Sequence, residues 1–242
     1  MTETTSNFGK DKEHNTSLNL NVSKINDLFF VIYDKNEHIQ SFLTRGLLYE
    51  KVMLDYINKK YKGGVFVDVG ACMGTHSLPF SKIADMVYSF EPFEPNFKML
   101  FLNIILNKIS NIRFFNCGLG KNSEVKELLM KNPTTPNGSP SFVKVKEERI
   151  NKKTYKIKVP TIPLDLFKLD NVTLIKIDVE HDNISVLEGM TNTLRKNNAD
   201  LFVECMTKKE LEETTNFLKN FGYFNTGISF NSTPTILFKK QK

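Results

Sequence analysis

The chain has little cysteine, little arginine and no long apolar run. Its three cysteines, Cys72, Cys117 and Cys205, are an odd number at wide spacing. They make neither a disulfide framework nor a zinc knuckle, and no ligand spacing calls for a metal. Four arginines (Arg45, Arg113, Arg149, Arg195) stand beside 29 lysines. Arginine forks onto phosphates whereas lysine is a hydrated point charge, so the balance reads as solubility rather than a nucleic-acid groove. The longest aliphatic and aromatic run near the start, Leu28 to Tyr33, is six residues, against the ~20 that span a bilayer. The first residues carry acids and no apolar signal-peptide stretch. The expectation is a reduced, cytoplasmic setting with no membrane span. There is no internal repeat, and no NPPY-like motif of the kind that accepts an exocyclic amine.

What is present suits one large domain. The 242 residues are 40% apolar and 25% charged, enough for a sizeable core. The net charge of +6 hints at an anionic partner without establishing one.

Residues 1–25 are polar and rich in Thr, Ser and Asn, and read as a tail too poor in apolar surface to order. Residues 26–242 then form a single domain. Residues 28–43 read as two short strands around an Asp34-Lys35-Asn36 turn. A helical pattern follows at Leu47, Leu48, Val52, Met53, Tyr56 and Ile57, ending before Gly63-Gly64.

From Val65 the rhythm becomes strand, helix, strand: VFVDVG, SLPFSKIA, MVYSFEP, PNFKMLFLNIILNK, NIRFFN. The helix after Pro95 and Asn96 shows a stripe at Phe97, Leu100, Phe101, Ile104 and Ile105. The alternation pauses over residues 121–160, read as a basic hairpin insertion. It resumes with VTLIKIDVE, the helix ISVLEGMTNTL, the strand DLFVEC and the helix TKKELEETTNFLKNFG, and a final antiparallel pair ends the chain. Single helices between strands predict parallel βαβ units: an α/β, doubly wound, mostly parallel seven-stranded sheet. A small strand-helix extension precedes it.

Asp68-Val69-Gly70-Ala71-Cys72-Met73-Gly74 closes the first core strand and opens a helix, where glycines let backbone approach a ligand. Glu91 ends the next strand, at the separation that puts a carboxylate beside the ribose of a bound nucleotide. The dinucleotide fingerprint GxGxxG is absent, because Cys72 stands at its second glycine. Asp68 would repel a pyrophosphate and suits an ammonium group, which favours S-adenosylmethionine over NAD.

These blocks are recognisable. VFVDVGACMGTHSLPFSK, VYSFEPFEPNFKMLFLNIILN, NIRFFNCGLG, LIKIDVEHDNISVLEGM and LFVEC resemble, in order and spacing, the FkbM-type methyltransferase family over residues 65–223, with a match from Glu50. The resemblance implies a class I methyltransferase fold, S-adenosylmethionine as cofactor, and O-methylation of a sugar or other small-molecule hydroxyl. It places Asp68 and Gly70 on the first cofactor motif and Glu91 on the ribose acid. Asn116-Cys117-Gly118-Leu119 falls where the adenine edge is read, and Asn137-Gly138-Ser139-Pro140-Ser141 near methyl transfer. Asp178 falls on the DVEG signature and Glu204 on the acid ending the fifth strand. The cofactor set is thus Asp68, Gly70, Ala71, Cys72, Gly74, Thr75, Glu91, Pro92, Cys117, Gly118 and Asp178. The chain departs from the signature at His181, which replaces its glycine, and at Asn183, which replaces its last acid.

A hydroxyl acceptor must lose its proton, and a carboxylate or imidazole is the natural recipient. The candidates are His181, Asp178 and Glu180, in that order. Plainer roles suit His76 (a helix-start residue lining the cleft), Cys72 and Cys117 (packing), Glu204 (a loop anchor), and Asn103 and Asn107 (bonds to nearby loops). Two further functions compete with a glycan or small-molecule O-methyltransferase: an RNA methyltransferase, and a non-catalytic S-adenosylmethionine-binding module. Residues 121–160 hold ten basic residues against four glutamates, an excess equal to the whole chain's. That segment reads as a solvated hairpin, or as a flap favouring an acidic acceptor such as a nucleotide-sugar.

Overall fold

The strand-helix rhythm that begins at Val65 is the one the chain folds by. The structure, a computed structural model, describes residues 20–130 apart from Asp34 and Asn36, then Thr135 and residues 155–241. In chain order come β1 (Asn21–Ile25), β2 (Leu28–Ile32), α1 (His38–Thr44), α2 (Lys51–Lys60), β3 (Val65–Val69), α3 (Ser77–Phe80) and β4 (Met86–Phe90). Then follow α4 (Glu94–Leu106), β5 (Ile112–Phe115), β6 (Gly118–Leu119), β7 (Glu124–Met130), β8 (Tyr155–Ile162), a 3-10 turn (Leu164–Phe167) and β9 (Val172–Ile177). Last are α5 (Asn183–Glu188), α6 (Thr191–Lys196), β10 (Asp200–Glu204), α7 (Lys208–Lys219), β11 (Tyr223–Phe230) and β12 (Thr235–Lys240).

The main sheet has seven strands in the order β11-β12-β10-β9-β3-β4-β5. Only β12 runs against its neighbours. The order reverses at β3 and β9, and a crevice opens there beyond the carboxyl ends of the strands. Alternating side chains divide the core. Phe66 and Leu174 pack on one face with Met53, Ile57, Leu100 and Ile104. Val67, Val69 and Ile175 pack on the other with Val186, Leu187 and Leu218.

Four expectations change. Residues 21–25 belong not to a tail but to β1, which pairs with β2 through a two-residue turn in which Asn26 has a φ of 53°. The segment after β2 is the helix α1, not a second strand; Glu37 caps it by accepting from the Gln40 amide. Leu47 and Leu48 precede α2, which starts at Lys51. The single helix expected over ISVLEGMTNTL is two, α5 and α6.

The stripe on α4 is also rotated. The helix buries Asn96, Met99, Leu100, Asn103 and Ile104 and exposes Phe101 and Ile105. The reason is the open edge of β2, whose backbone needs partners. Asn103 Oδ1 accepts from the Val31 amide at 2.7 Å, and Asn107 Oδ1 accepts from Phe29 at the same distance. Both asparagines therefore serve structure, clamping β2 to α4.

The basic insertion is an antiparallel hairpin, β7 with β8, joined to β6 in a three-stranded sheet. Residues 136–154 lie outside the described residues, including the expected loop Asn137–Ser141. Three of the four described lysines of the insertion meet carboxylates within the chain: Lys121 meets Glu188, Lys126 meets Asp182 and Lys156 meets Glu127.

Candidate active site

A cleft opens at the carboxyl ends of β3, β4 and β9. Gly70, Cys72, Thr75, Glu91, Pro92, Gly118, Asp178 and Glu180 line it, as the sequence reading expects. Ile39, Tyr49, His76, Asn96, Leu128 and Lys176 line it too. Ala71, Gly74 and Cys117 pack behind the wall.

Glu91 is buried between the turn after β3 and the start of α4. Its Oε2 accepts from the Cys72 amide and its Oε1 from the Phe93 amide, each at 2.8 Å. Burial, with the Asp68 charge behind it, outweighs those two bonds and pushes the carboxyl up to about 7. Each oxygen keeps a lone pair for a further donor. The Cys72 thiol is held well above its ordinary range by burial and by Glu91, and burial lifts Cys117 to about 11. Neither is poised as a nucleophile.

Asp68 is corrected. It does not face the cleft as a partner for an ammonium group; it is fully buried and has its own counter-charge. It sits directly opposite Lys176 across β3 and β9, with Oδ1 3.8 Å from Lys176 Nζ. Its Oδ2 accepts from the Ser77 hydroxyl at 2.5 Å, and Ser77 in turn meets Ser89 at 2.8 Å. Lys176 Nζ also donates to Asp178 Oδ2 at 3.0 Å. Burial by itself would lower the Lys176 ammonium, but Asp178, Asp68 and Glu50 reverse that and hold it above its usual range.

Burial would likewise raise Asp178, yet Lys176 and a hydrogen bond with Glu204 keep it below the ordinary aspartate value. Glu204 pays the opposite way: burial, the Asp178 charge and that same bond push it up to about 10. Of the two carboxyls, Glu204 is thus the one biased toward the protonated form and Asp178 the one biased toward the carboxylate. The Glu204 backbone carbonyl accepts from Asn183 Nδ2 at 2.7 Å, so Asn183 ties the start of α5 to the end of β10. A polar row thus crosses four strands of the sheet: Ser89, Asp68, Lys176 with Asp178, and Glu204. A lone lysine inside the apolar run VTLIKI was the sequence signal for it, since a buried ammonium requires a counter-charge.

His181 is corrected as well. It stands outside the cleft, with Nδ1 against Glu210 Oε1 at the start of α7. The backbone turns it away: Glu180 and His181 have φ of 48° and 76°, the left-handed conformation that glycine adopts freely. His181→Gly should keep methyl transfer and leave stability within about 1 kcal/mol of wild type. Relief of left-handed strain there offsets the lost pair and glycine's unfolded-state entropy. Loss of activity in this variant would restore His181 to the chemistry.

His76, by contrast, does line the cleft, and its Nε2 stands 2.9 Å from Glu50 Oε2. Tyr49 lies edge-on to that imidazole at 6.2 Å. The sequence reading gave Tyr49 and Glu50 no role, marking Glu50 only as the start of the resemblance; both come from the extension before β3.

The model of the Methyltransferase FkbM domain matches residues 68–224. No curated protein matches the chain. Among solved structures, methyltransferase FkbM from Methylobacillus flagellatus KT superimposes with a TM-score of 0.54 at 18% identity, covering 73% of this chain and 43% of that one. The chain thus spans less than half the length of that relative. Trm5b from Pyrococcus abyssi gives a TM-score of 0.50 at 13% identity over 92% of this chain and 56% of that one. The M. jannaschii TYW2 structure in complex with AdoMet gives 0.47 at 14% identity, over 92% and 87%. At these identities the likeness to the first two is one of fold.

Proposed function

Because the chain belongs to the FkbM methyltransferase family, we propose that it is an O-methyltransferase acting on a hydroxyl of a sugar, glycan or other small molecule. Family membership indicates S-adenosylmethionine as the methyl donor. The cleft suits it: Gly70, Thr75, Glu91, Pro92 and Gly118 line it together, and Glu91 offers free lone pairs as acceptors for ribose hydroxyls. Glu91 would hold the ribose, Pro92, Gly118 and Leu119 the base, and the Gly70–Thr75 turn the methionine portion. When bound, the donor supplies an electrophilic methyl group on sulfur. The chain's own residues then orient the acceptor, exclude water and take the hydroxyl proton.

The observation that carries the acceptor class is the acidity of the cleft beside β9. Asp178, paired with Lys176, and Glu180 line it. A phosphodiester would meet carboxylates there, whereas a neutral hydroxyl finds acceptors. Among the described residues of the insertion, the internal pairing of Lys121, Lys126 and Lys156 takes away part of the basic charge on which an RNA or nucleotide-sugar acceptor rested. The test offers labelled methyl donor to sugars, lysate glycans and RNA in parallel. Label in a sugar or glycan fraction is expected; label in RNA alone would overturn the reading. Label in any physiological acceptor would dismiss a non-catalytic module.

Donor affinity should depend on pH through Glu91. Hydroxyls donate more strongly to the ionised carboxyl than to the neutral one, so binding favours release of the proton from a group raised to about 7. Affinity for S-adenosylhomocysteine should therefore rise about tenfold from pH 6 to pH 8 and then level. Glu91→Gln should flatten that profile, and Glu91→Ala should weaken binding ~10- to 100-fold. Calorimetry at each pH checks both; an unchanged affinity in Glu91→Ala would remove Glu91 from the site.

A further inference from the structure

The cleft contains a buried pair that no motif assigns. Glu50 precedes α2 and lies outside the family match at residues 68–224, whereas His76 lies inside it. Their side chains are 5% and 3% exposed, with His76 Nε2 2.9 Å from Glu50 Oε2. The two atoms are close without being aligned as a hydrogen bond, and a carboxylate at that distance favours the tautomer with its proton on Nε2, which leaves Nδ1 with a lone pair. Nδ1 has no hydrogen-bond partner among the described residues. The imidazole lines the cleft together with Tyr49, Lys176 and Asp178.

Packing alone gives no reason for this arrangement. Burying a carboxylate against an imidazole costs desolvation that an apolar pair would avoid. Glu50 is moreover held at a φ of 54°, a left-handed conformation unfavourable to a residue with a Cβ. Strain and buried charge together, at the wall of a cleft, mark a site organised for chemistry. Asp178 is the poorer base, since Lys176 and Glu204 already engage its carboxylate.

We infer that His76 is the general base for the acceptor hydroxyl and that Glu50 is the positioning residue that orients it. This rests on the hydroxyl-acceptor reading above. The acceptor oxygen takes the methyl group with the electron pair of its broken O–H bond, while the carbon–sulfur pair stays on sulfur. The proton passes to Nδ1 of His76, and the resulting imidazolium faces the Glu50 carboxylate. The logic is that of any base oriented by a third group.

Two variants and three readouts test it. His76→Gln keeps a polar contact to Glu50 but has no basic nitrogen, and Glu50→Gln keeps the imidazole. At saturating donor, label transfer to the pooled sugar and glycan hydroxyls should fall at least about 100-fold in His76→Gln and about tenfold in Glu50→Gln. S-adenosylhomocysteine affinity by calorimetry should stay within about threefold, under 1 kcal/mol. In histidine-labelled wild-type protein, the imidazole NMR signal that His76→Gln removes should shift on saturation with S-adenosylhomocysteine. A signal that does not shift, or near-normal turnover in His76→Gln, overturns the base. If His76→Gln does not fold, normal turnover in Glu50→Gln overturns the dyad. Wild-type protein that labels no hydroxyl at all overturns the O-methyl reading instead, and a shifted His76 signal would still place the imidazole at the donor.

Discussion

Gly70→Ala is expected to cost at least about 3 kcal/mol of stability and to abolish donor binding. A Cβ at Gly70 would lie 1.8 Å from the backbone oxygen of Asp178, and the residue has a φ of 80°. Two penalties therefore add: the left-handed backbone, and a clash with main chain that cannot rotate away. The clash also sits where β3 and β9 end side by side, with the Asp178 amide donating to Val69 O at 3.0 Å. Relieving it means prising apart the two strands whose ends carry Glu91's neighbouring turn and the Asp178 signature. A thermal melt should show a fall of about 6–12 °C, and calorimetry no heat with S-adenosylhomocysteine. A melt within ~2 °C of wild type would mean that the turn relaxes freely, contrary to this packing.

Lys176→Met should be nearly as damaging, for an electrostatic reason. Lys176 is 2% exposed and is the counter-charge for fully buried Asp68 and for Asp178. Removing one partner of a buried ionic group leaves charge without compensation and costs about 3–5 kcal/mol. The sign of the pH dependence is distinctive. Without Lys176, the folded carboxyls gain affinity for protons relative to the unfolded chain. The folded state of the variant then binds more protons, and the variant is favoured as pH falls. Its deficit against wild type should thus narrow between pH 7 and pH 5, and Asp68→Asn in the same chain should restore part of it. Denaturant melts at the two pH values decide the point; a constant deficit would mean that lost packing, not charge, is responsible.

Glu91 shows how far the sequence could be read. A strand, a glycine turn, a helix and a second strand fix a carboxylate at one edge of the sheet, so its place followed from spacing alone. Lys176 was half legible. Its position inside an apolar strand demands a counter-ion, but that this ion is Asp68 depends on β9 lying beside β3, a pairing of segments far apart in the chain. His181 misled because composition shows an imidazole beside two carboxylates, whereas the φ of its backbone decides which way it points. On α4, apolar periodicity put Phe101 and Ile105 inward; the unpaired edge of β2 drew Asn103 and Asn107 there instead.

By itself, then, the amino-acid order determined the alternating fold, the glycine turn, the acid ending the second core strand and the family. Each depends on local periodicity or on short spacings that a chain cannot avoid expressing. Only the tertiary structure decided the chemistry of the cleft: that Asp68 is paired with Lys176, that Glu204 meets Asp178, and that Glu50 from the N-terminal extension meets His76. Those contacts join residues from separate elements, and burial sets their charge only once the elements have packed.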